Sequence, residues 1–299
     1  MMEMDVSEQR SAMASPPRAG LRWERVLGST LRTLVVAFFC FLAIAPFFAM
    51  ATGLLQNDND LYRSGNQLWF TEAPTLRNIH FLFENTNYLT FVRNSTLVGV
   101  AVVVITLLFS LPAAYALARL TGRWGERAGI MMFIVYLVPP TLLFIPLFRI
   151  IVSLGLKDSP LSLMLVYPTI TVPFCTWLLM GFFKSVPPEL EEAALVDGYH
   201  RFEAFLRVVL PLAWPGIISV VVFSFTLTLH EYAYSQVFIS RLEWRTLSTG
   251  VPSALIRGDV FFWQALLAAA FFIAIPVGLV YNLFLDRLIQ GFTMGAVKG

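Results

Sequence analysis

The chain has 299 residues, 57% hydrophobic and 13% charged, and its mean hydropathy is +0.71. Soluble domains contain about a quarter charged residues, so this composition excludes an ordinary soluble protein and predicts an integral membrane protein with several spans. The formal net charge of +2 indicates no particular class of partner.

Residues 1–30 are a polar tail in which an interfacial helix is predicted over 21–31, and the tail carries Arg10, Arg18, Arg22 and Arg25. Residues 33–57 have no charge and are long enough to cross a bilayer core, which needs about 20 apolar residues. Basic residues, an apolar run and the segment Ala49-Met50-Ala51 together also imitate a cleaved signal peptide. The length of the tail and of the apolar run favours a span.

Five more uncharged apolar stretches follow, and the sequence therefore predicts an all-α integral membrane protein with six transmembrane helices over residues 31–285. The predicted spans are 33–57, 94–118, 128–148, 159–183, 208–229 and 260–285. Two large loops, 58–93 and 230–259, lie on one side of the membrane, and residues 286–299 form a C-terminal tail.

The positive charges predict the orientation of the six spans. The side that holds both termini has 13 lysines and arginines, and the other side has 8. Because loops rich in these residues stay in the cytoplasm, we expect both termini and the loop at 187–211 to be cytoplasmic.

Polar and helix-breaking residues near membrane depth are candidates for a solute pathway. Pro139 and Pro140 interrupt the third span, and His230, Glu231 and Tyr232 directly follow the fifth. Polar groups at this depth are costly and often face a cavity. Two other interpretations stay open: the prolines are packing features, since neighbouring groups can satisfy the freed carbonyls, and the residues after the fifth span are an interfacial anchor.

The residues predict neither an enzyme nor a cofactor site. No GxxxxGK[ST] segment occurs, so the chain itself does not bind ATP through a P-loop. Cys40 and Cys175 lie inside apolar stretches, which argues against a disulfide, and the three histidines lack metal-ligand spacing. No nucleophile with a neighbouring base and no pair of carboxylates stands out.

The most informative stretch is the charged loop at 187–211, which reads PPELEEAALVDGYHRFEAFLRVVLP. Prolines suit its first helical turn, helix-forming residues run over 189–196, and Gly198 can take the left-handed conformation that ends a helix. A second helical run covers 200–209, before Leu210 and Pro211. The stretch therefore predicts two short helices joined at Gly198, between two spans.

Glu192-Ala193-Ala194, Gly198, Val208 and Leu210-Pro211 have the spacing EAA-x3-G-x9-I-x-LP, with valine in place of the usual isoleucine. This pattern resembles the EAA loop in membrane subunits of binding-protein-dependent ABC importers. The lead-in at 187–190 and Asp197-Gly198 are similar to the carbohydrate branch. The resemblance implies the permease fold of type I ABC importers; the alternative for the loop is a solvated amphipathic linker.

The resemblance implies that the first helix of the loop lies in a groove of an ATP-binding subunit. The implied coupling residues are Glu189, Glu192, Ala193, Ala194, Asp197, Gly198, Leu210 and Pro211. By helical periodicity we expect an apolar face to pack inward, made of Leu190, Ala193, Ala194 and either Leu195 or Val196. The acidic residues Glu189, Glu191 and Glu192 are expected to meet basic residues of the partner.

The last nine residues are similar to the tails of carbohydrate permeases related to the smaller membrane subunit of the maltose importer. This similarity implies that Thr293, Gly295 and Lys298 dock at the interface of the ATPase dimer. The alternative is a frayed terminus.

The resemblance also implies the partners: a second permease in a heterodimer, two ATP-binding subunits that carry ATP and Mg, and an extracytoplasmic solute-binding protein. The location that it implies is the plasma (inner) membrane of a bacterium or archaeon. The implied cargo is a mono- or oligosaccharide, or a derivative such as a polyol or glycerol phosphate. An ion-coupled secondary transporter is the main alternative, although the predicted spans lack the buried carboxylates that such coupling usually needs. A membrane enzyme would need a clustered polar site, and none is visible.

Overall fold

The computed structural model describes residues 20–57 and 73–296, and apart from one short hairpin these residues form helices, turns and loops. The helices are α1 (Gly20–Gly53), α2 (Arg77–Glu84), α3 (Tyr88–Tyr115), α4 (Gly122–Tyr136), α5 (Pro140–Ser153), α6 (Pro160–Val166), α7 (Pro168–Ser185), α8 (Pro188–Val196), α9 (Arg201–Ala204), α10 (Leu210–Leu212), α11 (Trp214–His230), α12 (Ala233–Phe238), α13 (Leu247–Leu255) and α14 (Trp263–Ala296). Segments of π-helix follow α3 (Ala116–Leu120) and α9 (Phe205–Val209), and a 3-10 turn covers Leu242–Trp244. Strands β1 (Ile256–Arg257) and β2 (Val260–Phe261) pair antiparallel, with Ile256 opposite Phe261.

Within the part of the chain that the structure describes, four helical segments are long and apolar enough to cross a membrane: Leu27–Gly53, Tyr88–Leu120, Pro160–Ser185 and Trp263–Leu285. Two more candidates are bent pairs. Helices α4 and α5 meet at 87°, and the segment Arg201–Leu212 meets α11 at 76°. If each bent pair is one span, the described residues contain six, the number predicted from the sequence.

Several boundaries differ from the predicted ones. Helix α1 begins at Gly20 and merges the predicted interfacial helix with the first span. The straight part of the fifth span begins at Trp214 instead of 208, because the chain bends between Leu212 and Trp214. Val260 and Phe261 belong to β2, and α14 continues beyond 285 to Ala296. Hydropathy locates an apolar stretch, whereas backbone hydrogen bonding sets where a helix bends or ends.

Helix α3 is the centre of the bundle and packs along its length against α7 and α11. Glycines allow this close approach. Between α3 and α11, a Cβ atom on Gly99 would lie 2.7 Å from the Phe225 ring. Between α7 and α11, a Cβ atom on Gly216 would lie 2.5 Å from the Phe182 ring. Small residues are the usual means by which membrane helices approach each other. One end of α3 lies near α13 and the other near α8, and we call these the α13 end and the α8 end.

The break between α4 and α5 follows from the two prolines. Pro139 has an extended backbone (ψ 124°), and Pro140 starts α5, because a residue before proline disfavours the helical region and proline lacks an N–H. Stacked rings hold α5 against α12: Phe238 lies 6.1 Å from Phe144 and 5.8 Å from Phe148 between centroids.

Asp158 joins the loop after α5 to the loop after α12. Its backbone has a positive φ of 63°, and its N–H donates to the Phe238 carbonyl at 2.9 Å. Its Oδ1 accepts hydrogen bonds from the amides of Ser240 and Arg241. These bonds, chiefly the one from Ser240, hold the pKa of the Asp158 carboxyl below its ordinary value of 3.8.

We expect Asp158→Ala to lower the free energy of unfolding at neutral pH by about 1 kcal/mol, because two backbone amides lose their acceptor. The measurement is the melting temperature of the detergent-purified protein, which should fall accordingly. Since the folded-state pKa is depressed, the stabilisation is fully present above the unfolded-state value of 3.8 and is lost as the pH falls through the folded-state pKa. The difference in melting temperature between Asp158→Ala and wild type should therefore become smaller at acidic pH. Asp259→Ala, at an exposed position in the hairpin turn, is the control; equal melting temperatures for Asp158→Ala and wild type at pH 7 would contradict the assignment.

Candidate coupling and pathway sites

Helix α8 has a well-defined start and end. Pro188 occupies its first turn together with Glu189 and Glu191, whose charges favour the positive end of a helix. At its end the Gly198 amide donates to the Leu195 carbonyl at 3.2 Å, and the Tyr199 amide donates to the Ala194 carbonyl at 3.1 Å. With Gly198 at φ +91°, this is the Schellman arrangement. The chain therefore leaves α8 in a fixed direction.

The two faces of α8 differ from the predicted ones. Ala194 is buried as expected and Leu195 is half-buried, but Leu190 is 45% exposed and Val196 87% exposed. The inward prediction is therefore wrong for Leu190 and Ala193, and of the two alternatives Leu195 and Val196 it is Leu195 that turns inward. The outward face consists of Glu189, Leu190, Glu192, Ala193 and Val196, followed by the exposed Asp197 and Gly198.

Glu191 was predicted to face a partner, and this prediction is wrong as well. Its side chain is 7% exposed, its Oε1 accepts a hydrogen bond from the Tyr115 hydroxyl at 2.5 Å, and its Oε2 lies 3.5 Å from Arg119 Nε. Arg119 also donates to the Val186 carbonyl. We call Tyr115, Arg119 and Glu191 the Glu191 cluster. A carboxylate can be buried when it is paired in this way.

The second half of the loop packs beside this cluster. The His200 amide donates to Glu203 Oε2 at 3.1 Å at the start of α9, and the Phe205 ring lies 4.5 Å from the Tyr115 ring. Leu210 and Pro211 lie in α10, just before the 76° bend into α11. These two predicted coupling residues therefore form the turn into the fifth span and are separate from the outward face of α8.

At the α13 end, a second network surrounds Glu231. Its carboxylate accepts hydrogen bonds from the Tyr167 hydroxyl (2.9 Å), the Tyr234 amide (3.1 Å) and the Ser235 amide (3.2 Å). Its carbonyl accepts one from Ser248 Oγ at 2.7 Å. We call these five residues the Glu231 network. It connects the fourth and fifth spans with α12 and α13.

The predicted pathway residues divide into two groups. Pro140 is linked to the Glu231 network, because its carbonyl accepts a hydrogen bond from the Tyr234 hydroxyl; Pro139 precedes it. Burial, and then the nearby Glu231 charge, raise the pKa of Tyr234, which keeps this hydroxyl protonated. His230 Nδ1 instead lies 2.9 Å from the Thr226 carbonyl of its own helix, and Tyr232 is 51% exposed. Their role in a pathway stays a prediction.

A separate apolar cavity of about 330 Å³ lies between α3, α11 and α14. Its polar groups include a Thr226–Tyr281 hydroxyl pair 2.8 Å apart. None of the predicted pathway residues lines it.

The predicted C-terminal docking residues cannot be placed as a group. Thr293 and Gly295 belong to the helical backbone of α14, and Lys298 lies outside the described residues. The docking role stays a prediction.

With this geometry established, comparisons with known proteins identify the class. Residues 107–293 match the model of the family described as "Binding-protein-dependent transport system inner membrane component". The chain is 35% identical to the sulfoquinovosyl glycerol transport system permease protein SmoH of Agrobacterium fabrum, over 77% of this chain and 81% of that protein. It is 33% identical to the diacetylchitobiose uptake system permease protein DasC of Streptomyces coelicolor, over 89% and 96% of the two chains.

Solved structures share the fold. A chain of a bacterial ABC transporter involved in the import of the acidic polysaccharide alginate superposes with a TM-score of 0.76 at 19% identity, covering 92% of this chain and all of that one. The class is thus an all-helical ABC importer permease, a multi-pass inner-membrane transport component and not an enzyme. The chain belongs to the family of inner membrane components of binding-protein-dependent transport systems. This membership decides against the ion-coupled secondary transporter.

Proposed function

We propose that the chain is one of two permease subunits in an ATP-driven importer of sugars, oligosaccharides or related glycosides. The support comes from the names of its relatives, which transport sulfoquinovosyl glycerol, diacetylchitobiose, arabinooligosaccharides and trehalose or maltose. These cargoes differ in size and charge but all are carbohydrates or glycosides. Each permease would contribute half of the pathway.

The exposed face of α8 is the proposed docking surface for the ATP-binding subunit. The observation that carries this proposal is its composition: an 87% exposed valine, an exposed leucine and two exposed glutamates on a capped nine-residue helix. A solvated linker has no need for exposed Leu190 and Val196. An apolar strip with acidic neighbours fits a groove that has apolar walls and a basic rim.

This assignment sets the orientation and the other partners. The α8 end faces the cytoplasm, where ATP and Mg are bound by two ATP-binding subunits, and the α13 end faces outward. There a solute-binding protein delivers the cargo. An alginate ABC transporter of similar fold has been solved in complex with a periplasmic protein that holds an alginate pentasaccharide. The C-terminal tail containing Thr293, Gly295 and Lys298 would reach the interface between the ATP-binding subunits.

Affinity purification of this chain in detergent, with mass spectrometry of its partners, tests the docking surface. Wild type should recover a P-loop ATPase and a second permease, and Glu192→Lys should lose the ATPase, because a reversed charge opposes the basic rim. Glu243→Lys is the matched control: its carboxylate is exposed at the α13 end, 3.5 Å from Arg241. An ATPase that remains on Glu192→Lys, or that wild type never recovers, would contradict the proposal.

The cargo is tested on the solute-binding protein that co-purifies. Calorimetric titration with mono- and oligosaccharides, glycosides and polyols should give saturable binding of at least one of them. Binding of amino acids or peptides alone would show that the sugar assignment is wrong.

A further inference from the structure

Glu191 is the acidic residue of α8 that faces away from the proposed docking surface. Its side chain is 7% exposed, whereas Glu189 and Glu192 are both exposed. An apolar pair of similar volume often stabilises a fold as well as a buried ion pair does. Stability alone therefore does not explain why charged groups occupy this position.

Arg119 contacts both the residue that precedes the loop and the first helix of the loop. Its terminal nitrogen donates to the carbonyl of Val186, immediately before the loop, while its Nε lies 3.5 Å from Glu191 Oε2 within α8. The Nε contact is ionic, since Nε lacks a hydrogen bond of good geometry. Two attachment points fix the direction of α8 as well as its position relative to the end of the second span.

The backbone on both sides of the Glu191 cluster is π-helical. Ala116–Leu120 carries Arg119, and Phe205–Val209 carries the ring that packs on Tyr115 at 4.5 Å. Such segments are rare and concentrate at functional positions, because they change the register of a helix locally. The first directly follows α3, and the second leads through α10 into α11. Helices α3 and α11 pack together at the centre of the bundle.

We infer that the Glu191 cluster transmits movements of α8 to the second span, so that Glu191, Arg119 and Tyr115 are positioning residues for transport. The inference rests on the proposed docking of α8 to an ATP-binding subunit. It separates two functions within one short helix. The exposed face of α8 binds the partner, and the buried Glu191 carboxylate transmits the displacement of α8 to the second span.

The test measures docking and transmission separately in the purified complex. Gln236, exposed on α12 at the far end of the bundle, is replaced by cysteine in a Cys40→Ser background and labelled with an environment-sensitive fluorophore. MgATP is the probe, and the readouts are ATPase recovery, ATP hydrolysis and the change in fluorescence. Wild type should show all three.

In Glu191→Gln the ATPase should still co-purify and hydrolyse ATP, but the fluorescence response should fall about tenfold, a typical size for coupling between sites. Glu191→Asp, which keeps the charge, should restore part of the response. Glu126→Gln is the control, because its ion pair with Lys184 at 3.6 Å is exposed; its response should equal that of wild type.

The outcomes distinguish this inference from the proposed function. An unchanged response in Glu191→Gln, or loss of the ATPase from the folded variant, would overturn the transmission role and leave docking intact. A wild-type chain without ATPase would overturn the proposed function itself. If Glu191→Gln fails to fold, the double variant Glu191→Gln with Arg119→Gln removes both charges; a wild-type response from it would refute the inference, and a lost response with bound ATPase would support it.

Discussion

Gly198→Val is expected to remove most of the ATP-binding subunit from the purified complex. Gly198 has φ +91°, a region that a β-branched residue rarely occupies. Valine would therefore cost about 2 kcal/mol of strain, or it would force the chain out of the Schellman arrangement and redirect α9 relative to α8. A local penalty of this size reduces the docking-competent population by a factor of about 30.

Recovery of the ATPase with the purified variant is the measurement. Gly181→Val is the matched control, because this glycine is exposed in the interior of α7 and a Cβ there would meet nothing within 4 Å. In a helix interior valine is slightly better than glycine, so the control should keep its ATPase. Equal recovery from Gly198→Val and wild type would show that the end of α8 is not needed for docking.

Glu231→Ala should produce the largest loss of stability, about 3 kcal/mol, because several donors lose one acceptor together. The Tyr167 hydroxyl belongs to a fully buried residue, and the amides of Tyr234 and Ser235 start α12. With the carboxylate gone, the hydroxyl is left without its acceptor, and α12 loses the group that fixes its first turn.

The melting temperature of the detergent-purified protein measures this effect. Glu231→Gln retains one acceptor oxygen, so its melting temperature should lie between those of Glu231→Ala and wild type. Glu243→Ala removes a carboxylate that is 63% exposed, and it should change the melting temperature little. If Glu231→Ala melts like the control while solute uptake fails, then Glu231 acts in the pathway and the stabilising role of the network is refuted.

Local rules were sufficient for the outline of the loop at 187–211. Pro188 at the first turn, Gly198 after the last and the helix formers between them specify α8 without reference to the rest of the chain. The inward orientation of Glu191 could not be found in this way. Its partner Tyr115 is 76 residues away in sequence, and an acidic residue is assigned to the surface unless its partner is known.

The spans show the same division between local and distant information. Hydropathy located the six apolar stretches, and the two prolines at 139–140 indicated a break in the third. The 87° angle and the bonds that hold it depend on contacts between distant segments, such as that of the Pro140 carbonyl with Tyr234, 94 residues later. The Glu231 network likewise joins Tyr167 to a residue 64 positions away.

The sparse contacts of α1 have a consequence for how the protein is made. All residues from 27 to 44 are exposed, whereas Gly53 and Leu54 are buried near the end of the helix, with Gly53 against Leu267 of α14. Helix α1 thus packs on α14, the last helix of the described residues, which lies far along the sequence. Until α14 is inserted, α1 must be stabilised by lipid or by another subunit, so packing at this edge is completed only once α14 has been synthesised.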